Sequence, residues 1–426
     1  MCPPGFGGTD CARSTANQLP PPAQCGAYSA YLRSIHEDLL PWAADGMTEA
    51  QMDAALTHTI QSTAHSEVGI GFLLRGGKLF VINGAPTDFE LTEDGKLAKR
   101  GGMKWLMTYV HALARLAQTD GAQLADCEFV VEQGDHGDHG LDLSKPDNKA
   151  PLPWSERRRS APLLRYCKSE DSPEILIPYH HIYERKLTAE LLENNATELP
   201  WAQRQDVVFG NHHSYNRIAD TPSTARVGAD GQPLPEWIKG STRAYLRNVS
   251  LWAGPEWVNS SSLEILTKSL PMHEWRQFKY LLHIDGITCT SKLEQMLPLG
   301  SLIMKEQSGY RSFFHRLLVP FEHYVPYWRH RPQELLDALA WARAHDAEAA
   351  AIGAASQALA RKYLHKDGIR CYWVLLLTEL ARLQRGFTPG ARLPPAALVP
   401  VEEYLGWARA ADNGTGRFSM GELELV

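Results

Sequence analysis

Lys279-Tyr-Leu-Leu-His-Ile-Asp-Gly-Ile-Thr-Cys-Thr-Ser-Lys-Leu293 is an apolar run that stops at an aspartate and a glycine, crosses a Thr/Ser-rich stretch and turns apolar again. The run Lys279 to Ile284 reads as a buried strand, and Leu293 to Leu297 as the start of a helix. Ser301-Leu-Ile-Met-Lys305 follows as a second strand, and Val207-Val-Phe209 precedes as another. Strands alternating with helices imply crossover connections and a parallel sheet, so the fold class is α/β.

His323-Tyr-Val-Pro326 reads as a short strand and Tyr310 to Leu318 as a helix. Pro332 suits the first residue of a long helix reaching about Leu364, and Ile369 to Gln384 is an apolar helix. Upstream, helical spacing covers Tyr28 to Leu40, Thr48 to Ile60 and Met103 to Ala117. Phe72-Leu-Leu and Lys78 to Ile82, separated by Arg75-Gly-Gly77, form a hairpin, and Glu128-Phe-Val-Val131 is a buried strand. Gly, Pro and Ala dominate up to Pro400, and the tail beyond carries little pattern.

With 426 residues the chain exceeds what one core usually serves, so two lobes are expected. Its net charge of -6 supplies no electrostatic reason to bind nucleic acid or an acidic membrane, which leaves small-molecule or carbohydrate partners. Cys2-Pro-Pro-Gly-Phe-Gly-Gly-Thr-Asp-Cys11 reads as the last loop of an EGF-like repeat, closed by a Cys2–Cys11 bridge, and implies that the native protein continues upstream. Pro20-Pro-Pro22 marks an extended linker. Asn-X-Ser/Thr triplets at Asn195, Asn248, Asn259 and Asn413 agree with passage through the secretory pathway.

Three loops at strand ends could carry chemistry, because ligands of parallel α/β sheets bind where strands lead into helices. Glu132-Gln-Gly-Asp135-His136-Gly-Asp138-His139 admits three readings: Asp135 as a general base, a metal site of His136, Asp138 and His139, or a plain polar loop. In Asp285-Gly286-Ile-Thr-Cys-Thr290-Ser291-Lys292, the glycine lets a backbone approach a diphosphate and Thr290 or Ser291 caps the helix. A lysine at a helix start opposes the helix dipole, a conflict that a bound anion removes. Gly210-Asn211-His-His-Ser-Tyr-Asn-Arg217 offers donors and an arginine.

From about Cys25 to Arg385 the chain resembles glycosyltransferase family 90, the Rumi-like protein O-glucosyltransferases and fungal capsule xylosyltransferases. Lys279 to Gly286, Gly300 to Lys305, Pro320 to Pro326 and Cys371-Tyr372-Trp373 carry the resemblance. It implies a GT-B architecture, two Rossmann-like lobes facing a cleft, with the last helices returning to the N-terminal lobe. It also implies inversion without a metal or cofactor, Asp135 as catalytic base, and a UDP-sugar held by Asn211, Arg217, Asp285, Gly286, Thr290, Ser291 and Lys292. The donor would be UDP-glucose or UDP-xylose and the acceptor a protein or glycan. A Cys25–Cys371 disulfide is implied as well. Two departures stand out. The family's Phe-Arg-Gly is Val208-Phe209-Gly210 here, and its loop arginine is Lys292, which keeps the charge and loses the bidentate fork, about 1 to 3 kcal/mol of donor binding.

The expected division is an EGF-like remnant (1–12), a linker (13–24), an acceptor lobe bearing the base (25–190), a UDP-sugar lobe (191–365), returning helices (366–390) and a tail (391–426). The expected enzyme is a monomeric transferase of the endoplasmic reticulum or Golgi lumen, its full-length form open to a membrane anchor upstream. The alternative is a decayed carbohydrate-binding or matrix protein. Cys127, Cys167 and Cys289 read as buried unpaired thiols, and Trp154, Trp201, Trp257 and Trp328 as core ahead of sugar-stacking surfaces.

Overall fold

The computed structural model describes residues 23–61, 68–90, 103–133, 161–185, 199–213, 223–228, 230–234, 242–247, 263–266 and 270–412. A short 3-10 turn, Ala23–Tyr28, leads into α1 (Tyr31–Leu39) and α2 (Glu49–Gln61). The strands β1 (Val68–Arg75) and β2 (Lys78–Ile82) come next, then α3 (Met103–Asp120), β3 (Cys127–Gln133), β4 (Leu163–Arg165), β5 (Lys168–Ser169), β6 (Ile175–Leu176) and α4 (His180–Arg185). The later half holds β7 (Gln205–Asn211), α5 (Thr242–Arg247), β8 (Leu263–Leu266), β9 (Phe278–His283), α6 (Leu293–Met296), β10 (Leu302–Glu306), β11 (Tyr310–Arg311) and β12 (Val325–Tyr327). Helices α7 (Glu334–Ala344), α8 (Asp346–Tyr363) and α9 (Lys366–Leu383), strand β13 (Leu398–Pro400) and helix α10 (Val401–Asp412) complete it.

Two sheets organise these elements. The first, in the order β13-β2-β1-β3-β4-β6, is antiparallel from β13 to β3 and parallel from β3 to β6. The second, β12-β10-β9-β7-β8, is parallel throughout. Every residue of β3 and β10 is buried, as expected for strands covered on both faces. The β1–β2 hairpin turns through Gly76 and Gly77, both at positive φ (56° and 75°), a geometry that glycine adopts without a Cβ clash.

Helix α9 follows the parallel sheet in sequence but packs on the first sheet's side of the molecule. Tyr372 donates to the Leu176 carbonyl, and Trp373 Nε1 donates to Tyr183 Oη at 2.6 Å. The Cys25–Cys371 disulfide closes the same contact across 346 positions. Loop closure of that size contributes roughly 3 to 5 kcal/mol in the chain-entropy model.

Several expectations need correction. Tyr310 to Leu318 is not a helix: Tyr310–Arg311 pairs with Lys168–Ser169 as a two-stranded sheet, and a 3-10 turn, His315–Leu317, follows. Gly309, at φ 80°, sends the chain toward that pairing, and its carbonyl accepts the Glu170 amide at 2.9 Å. Tertiary strand pairing overrides the helical spacing here. The helix expected from Pro332 to Leu364 is two, because His345 leaves helical space (φ -125°, ψ 49°). Beyond Leu398 the chain forms an edge strand on β2 and a helix, α10, whose Tyr404 hydroxyl donates to Asp88 at 3.0 Å. Cys167 and Cys289 are not free thiols; they form a second disulfide across 122 positions, a pairing that local spacing cannot announce. Cys127 is a buried thiol on β3, as read, with burial pushing its pKa up.

Candidate active site

The loops after β7 and β9 leave adjacent parallel strands at their carboxyl ends. Asp285 is fully buried, and its carboxylate faces inward. Its Oδ1 accepts the Thr290 amide at 2.8 Å, its Oδ2 accepts the Ser308 hydroxyl, and its own amide donates to Glu306 Oε2 at 3.0 Å. Glu306 Oε1 also accepts Arg226 Nε at 3.1 Å. Asp285 therefore shapes the loop from beneath, while Gly286, Thr290, Ser291 and Lys292 line a cleft of about 360 Å³, within the range of small-molecule sites.

Thr290 and Ser291 do not cap α6. Lys292 itself stands at the N-cap with no side-chain cap bond, and the helix is a single turn. The lysine reaches back instead: its Nζ donates to the Asn211 carbonyl at the end of β7 and lies 5.3 Å over the Trp275 ring. Burial, reinforced by the Arg243 charge, lowers the Lys292 ammonium to about 8. His212 is pushed well below its ordinary value by burial and by the Lys292 and Arg243 charges, so it is neutral and donates Nε2–H to the Leu282 carbonyl at 3.1 Å.

Arg243, on α5, was not anticipated, and nothing in the spacing of Thr242-Arg-Ala-Tyr-Leu-Arg247 singles it out. It is buried and lines the cleft. Its Nε donates to the Asp285 carbonyl (3.1 Å), Nη2 to Ile284 (3.2 Å) and Nη1 to His213 (3.2 Å), so one guanidinium clamps both strand-end loops. A Cβ on Gly286 would stand 2.9 Å from Arg243 Nη2 and 3.1 Å from Cζ. A side chain at 286 would therefore push the guanidinium away from the carbonyls it clamps.

The facing wall is aromatic. Trp105 on α3, 40% exposed, stacks on His180 at 5.2 Å, and Tyr179 stacks on His181 at 5.0 Å. Tyr166 packs against Tyr179 at 4.2 Å, and all five rings line the cleft. Trp105, too, was missed, as one tryptophan on an apolar helix. Trp328 is core, its Nε1 donating to the Val227 carbonyl, and Trp201 packs against Tyr280, away from the cleft. Phe209, at the family's arginine position, is also core, stacked on Phe278 at 4.2 Å.

Asp135, Arg217, His136, Asp138 and His139 lie outside the described residues, as do Cys2, Cys11, Trp154, Trp257 and the four Asn-X-Ser/Thr triplets. The strand leading to Asp135 is described: β3 ends at Gln133 beside β4, with Glu132 and Arg165 forming a fully buried ion pair.

Glu294, in the first turn of α6, is buried, and burial raises its carboxyl to about 8, with Asp285 adding repulsion. A carboxyl whose folded pKa exceeds its unfolded one stabilises below the unfolded value and loses that contribution as pH rises through the folded value. Stability should therefore fall between about pH 4.5 and 8. Glu294→Gln should flatten that slope and raise stability at pH 7 by on the order of 3 kcal/mol; denaturant melts across this window check it.

Residues 103–392, well over half the chain and including the parallel sheet, strands β3, β4 and β6 of the first sheet and the cleft, match the model of Glycosyl transferase family 90. The chain belongs to glycosyl transferase family 90. Protein O-glucosyltransferase 2 of Danio rerio is 26% identical over 281 residues, 63% of this chain and 50% of that protein. Protein O-glucosyltransferase 3 of Homo sapiens is 24% identical over 279 residues, covering 63% and 49%. O-glucosyltransferase rumi of Drosophila pseudoobscura pseudoobscura is 24% identical over 240 residues, covering 52% and 55%. The chain spans about half the length of these family relatives. The two disulfides among the described residues are the kind that persist in an oxidising compartment, and no helix among the described residues is long and apolar enough to cross a membrane.

Proposed function

We propose that the chain is an inverting glycosyltransferase that moves glucose or xylose from a UDP-sugar to a hydroxyl of a protein or glycan, in the lumen of the secretory pathway. The observation that carries this reading is the cationic side of the cleft, Arg243 from α5 and Lys292 beside Gly286 to Ser291, facing an aromatic wall. Such a pairing suits an anionic diphosphate on one side and a sugar or acceptor ring on the other. The names of the relatives favour glucose and a protein acceptor.

In this reading the two sheets are the cores of a GT-B pair of lobes, with residues 25–190 as acceptor lobe, 191–365 as donor lobe and 366–390 as the returning helices. Asp135 removes the acceptor proton as the hydroxyl attacks the sugar's anomeric carbon from the face opposite UDP. Arg217, Arg243, Lys292 and loop amides stabilise the charge on the departing diphosphate, and no metal is needed. Asp135 as base is supported by its position two residues beyond β3. That strand runs parallel to β4, whose carboxyl end leads into Tyr166 on the cleft wall. A screen of UDP-sugars by UDP release tests the assignment. Release from UDP-glucose or UDP-xylose alone among the common donors supports it, and release from none opposes it.

The lowered Lys292 pKa gives a pH signature. UDP affinity should hold up to about pH 7 and fall as pH rises through about 8, because the ammonium loses its proton. Lys292→Arg should remove the decline, since a guanidinium stays charged. Calorimetry of UDP binding between pH 6.5 and about 9.5 measures it.

A further inference from the structure

Cys289 lies in the Asp285–Lys292 loop and lines the cleft, whereas Cys167 directly follows Tyr166 on the opposite wall. Their disulfide, with Cα atoms 5.8 Å apart, therefore runs from the donor loop to the aromatic wall. The wall end is pinned independently. Lys168 Nζ sits 2.6 Å from Asp38 Oδ1 and donates to the Glu174 carbonyl at 2.8 Å, and Lys168–Ser169 pairs with Tyr310–Arg311. The loop end is not in helix or strand: Gly286 N bonds Thr288 O at 2.8 Å, Thr290 N bonds Asp285, and Cys289 N points at Cys167 Sγ at 3.0 Å. Irregular backbone of this kind opens more readily than ladder-bonded strands.

We infer that the Cys167–Cys289 bridge is a positioning device: it holds the donor loop at one covalently fixed separation from the aromatic wall, so that UDP meets a preorganised loop. This rests on the reading of the cleft as a UDP site. A crosslink that orders a loop before binding removes an ordering cost that would otherwise weaken affinity. The bridge thus belongs to donor binding as well as to stability. Cys25–Cys371, which joins the Ala23–Tyr28 turn to α9 and does not line the cleft, is its natural control.

The test compares wild type with Cys167→Ala/Cys289→Ala and with Cys25→Ala/Cys371→Ala, by UDP calorimetry well below each variant's melting temperature and by initial rates. The bridge variant should bind UDP about tenfold more weakly and show a raised donor KM with a smaller change in kcat. The control should melt earlier and keep the wild-type Kd. Equal UDP Kd in the bridge variant and wild type overturns the inference, and so does an equal weakening in the control. If the alanine pair fails to fold, Cys167→Val/Cys289→Ala, which refills the apolar space, repeats the comparison under the same criteria. Wild type that binds no UDP overturns the inference by removing the site reading on which it stands, a failure separate from equal binding by the variants.

Discussion

Asp135→Asn should lower glycosyl transfer by about two to four orders of magnitude, the usual contribution of a positioned general base, while UDP binds with wild-type affinity. The substitution keeps the shape of the side chain and removes its ability to accept a proton at neutral pH. The split between lost turnover and retained donor binding is what distinguishes a base from a residue that merely supports the fold. Near wild-type transfer by the asparagine variant would exclude Asp135 from the role, and loss of UDP binding in parallel would point to a structural one.

Arg243→Ala should weaken UDP binding by about a hundredfold, since hydrogen bonds to a charged group contribute roughly 1.5 to 3 kcal/mol each. Two effects combine. The diphosphate loses a cation, and the carbonyls of His213, Ile284 and Asp285 lose the guanidinium that ties the two loops together. Arg243→Lys should recover little, because an ammonium cannot reproduce the three-way fork. Arg243→Ala should also raise the Lys292 pKa, whose depression the Arg243 charge reinforces. The pH at which UDP affinity declines should then move upward. Calorimetry over pH detects both effects, and an unchanged pH midpoint would deny that the two cations share one site.

The strands β9 and β10 were legible because they are short apolar runs, the first followed by Asp285-Gly286 and the second preceded by Gly300, and they lie where Lys279–Ile284 and Ser301–Lys305 read. The same patterning failed at Tyr310 to Leu318, whose apolar spacing suits a helix but whose backbone finds a partner strand in Lys168–Ser169. In the loop, residue type indicated charge and flexibility but not direction. Asp285 looks like a ligand-facing carboxylate in sequence, and in the fold it lies under the loop, bonded to Ser308 and the Thr290 amide. Arg243, Trp105 and the Cys167–Cys289 bridge escaped detection because each acts across a long stretch of chain: the arginine clamps carbonyls 30 to 42 positions away, and the cysteines stand 122 apart. Cys25–Cys371, separated by still more, was anticipated only because the family resemblance supplied it.

In the proposed function, the cleft between the Gly286–Lys292 loop and the Trp105–His180 wall holds UDP. Titrating UDP into the intact chain near pH 7, followed by calorimetry, tests it most directly. The expected result is saturable one-to-one binding with a micromolar Kd, weakened strongly by Arg243→Ala. Absence of binding at millimolar UDP, or binding indifferent to Arg243→Ala, would contradict it.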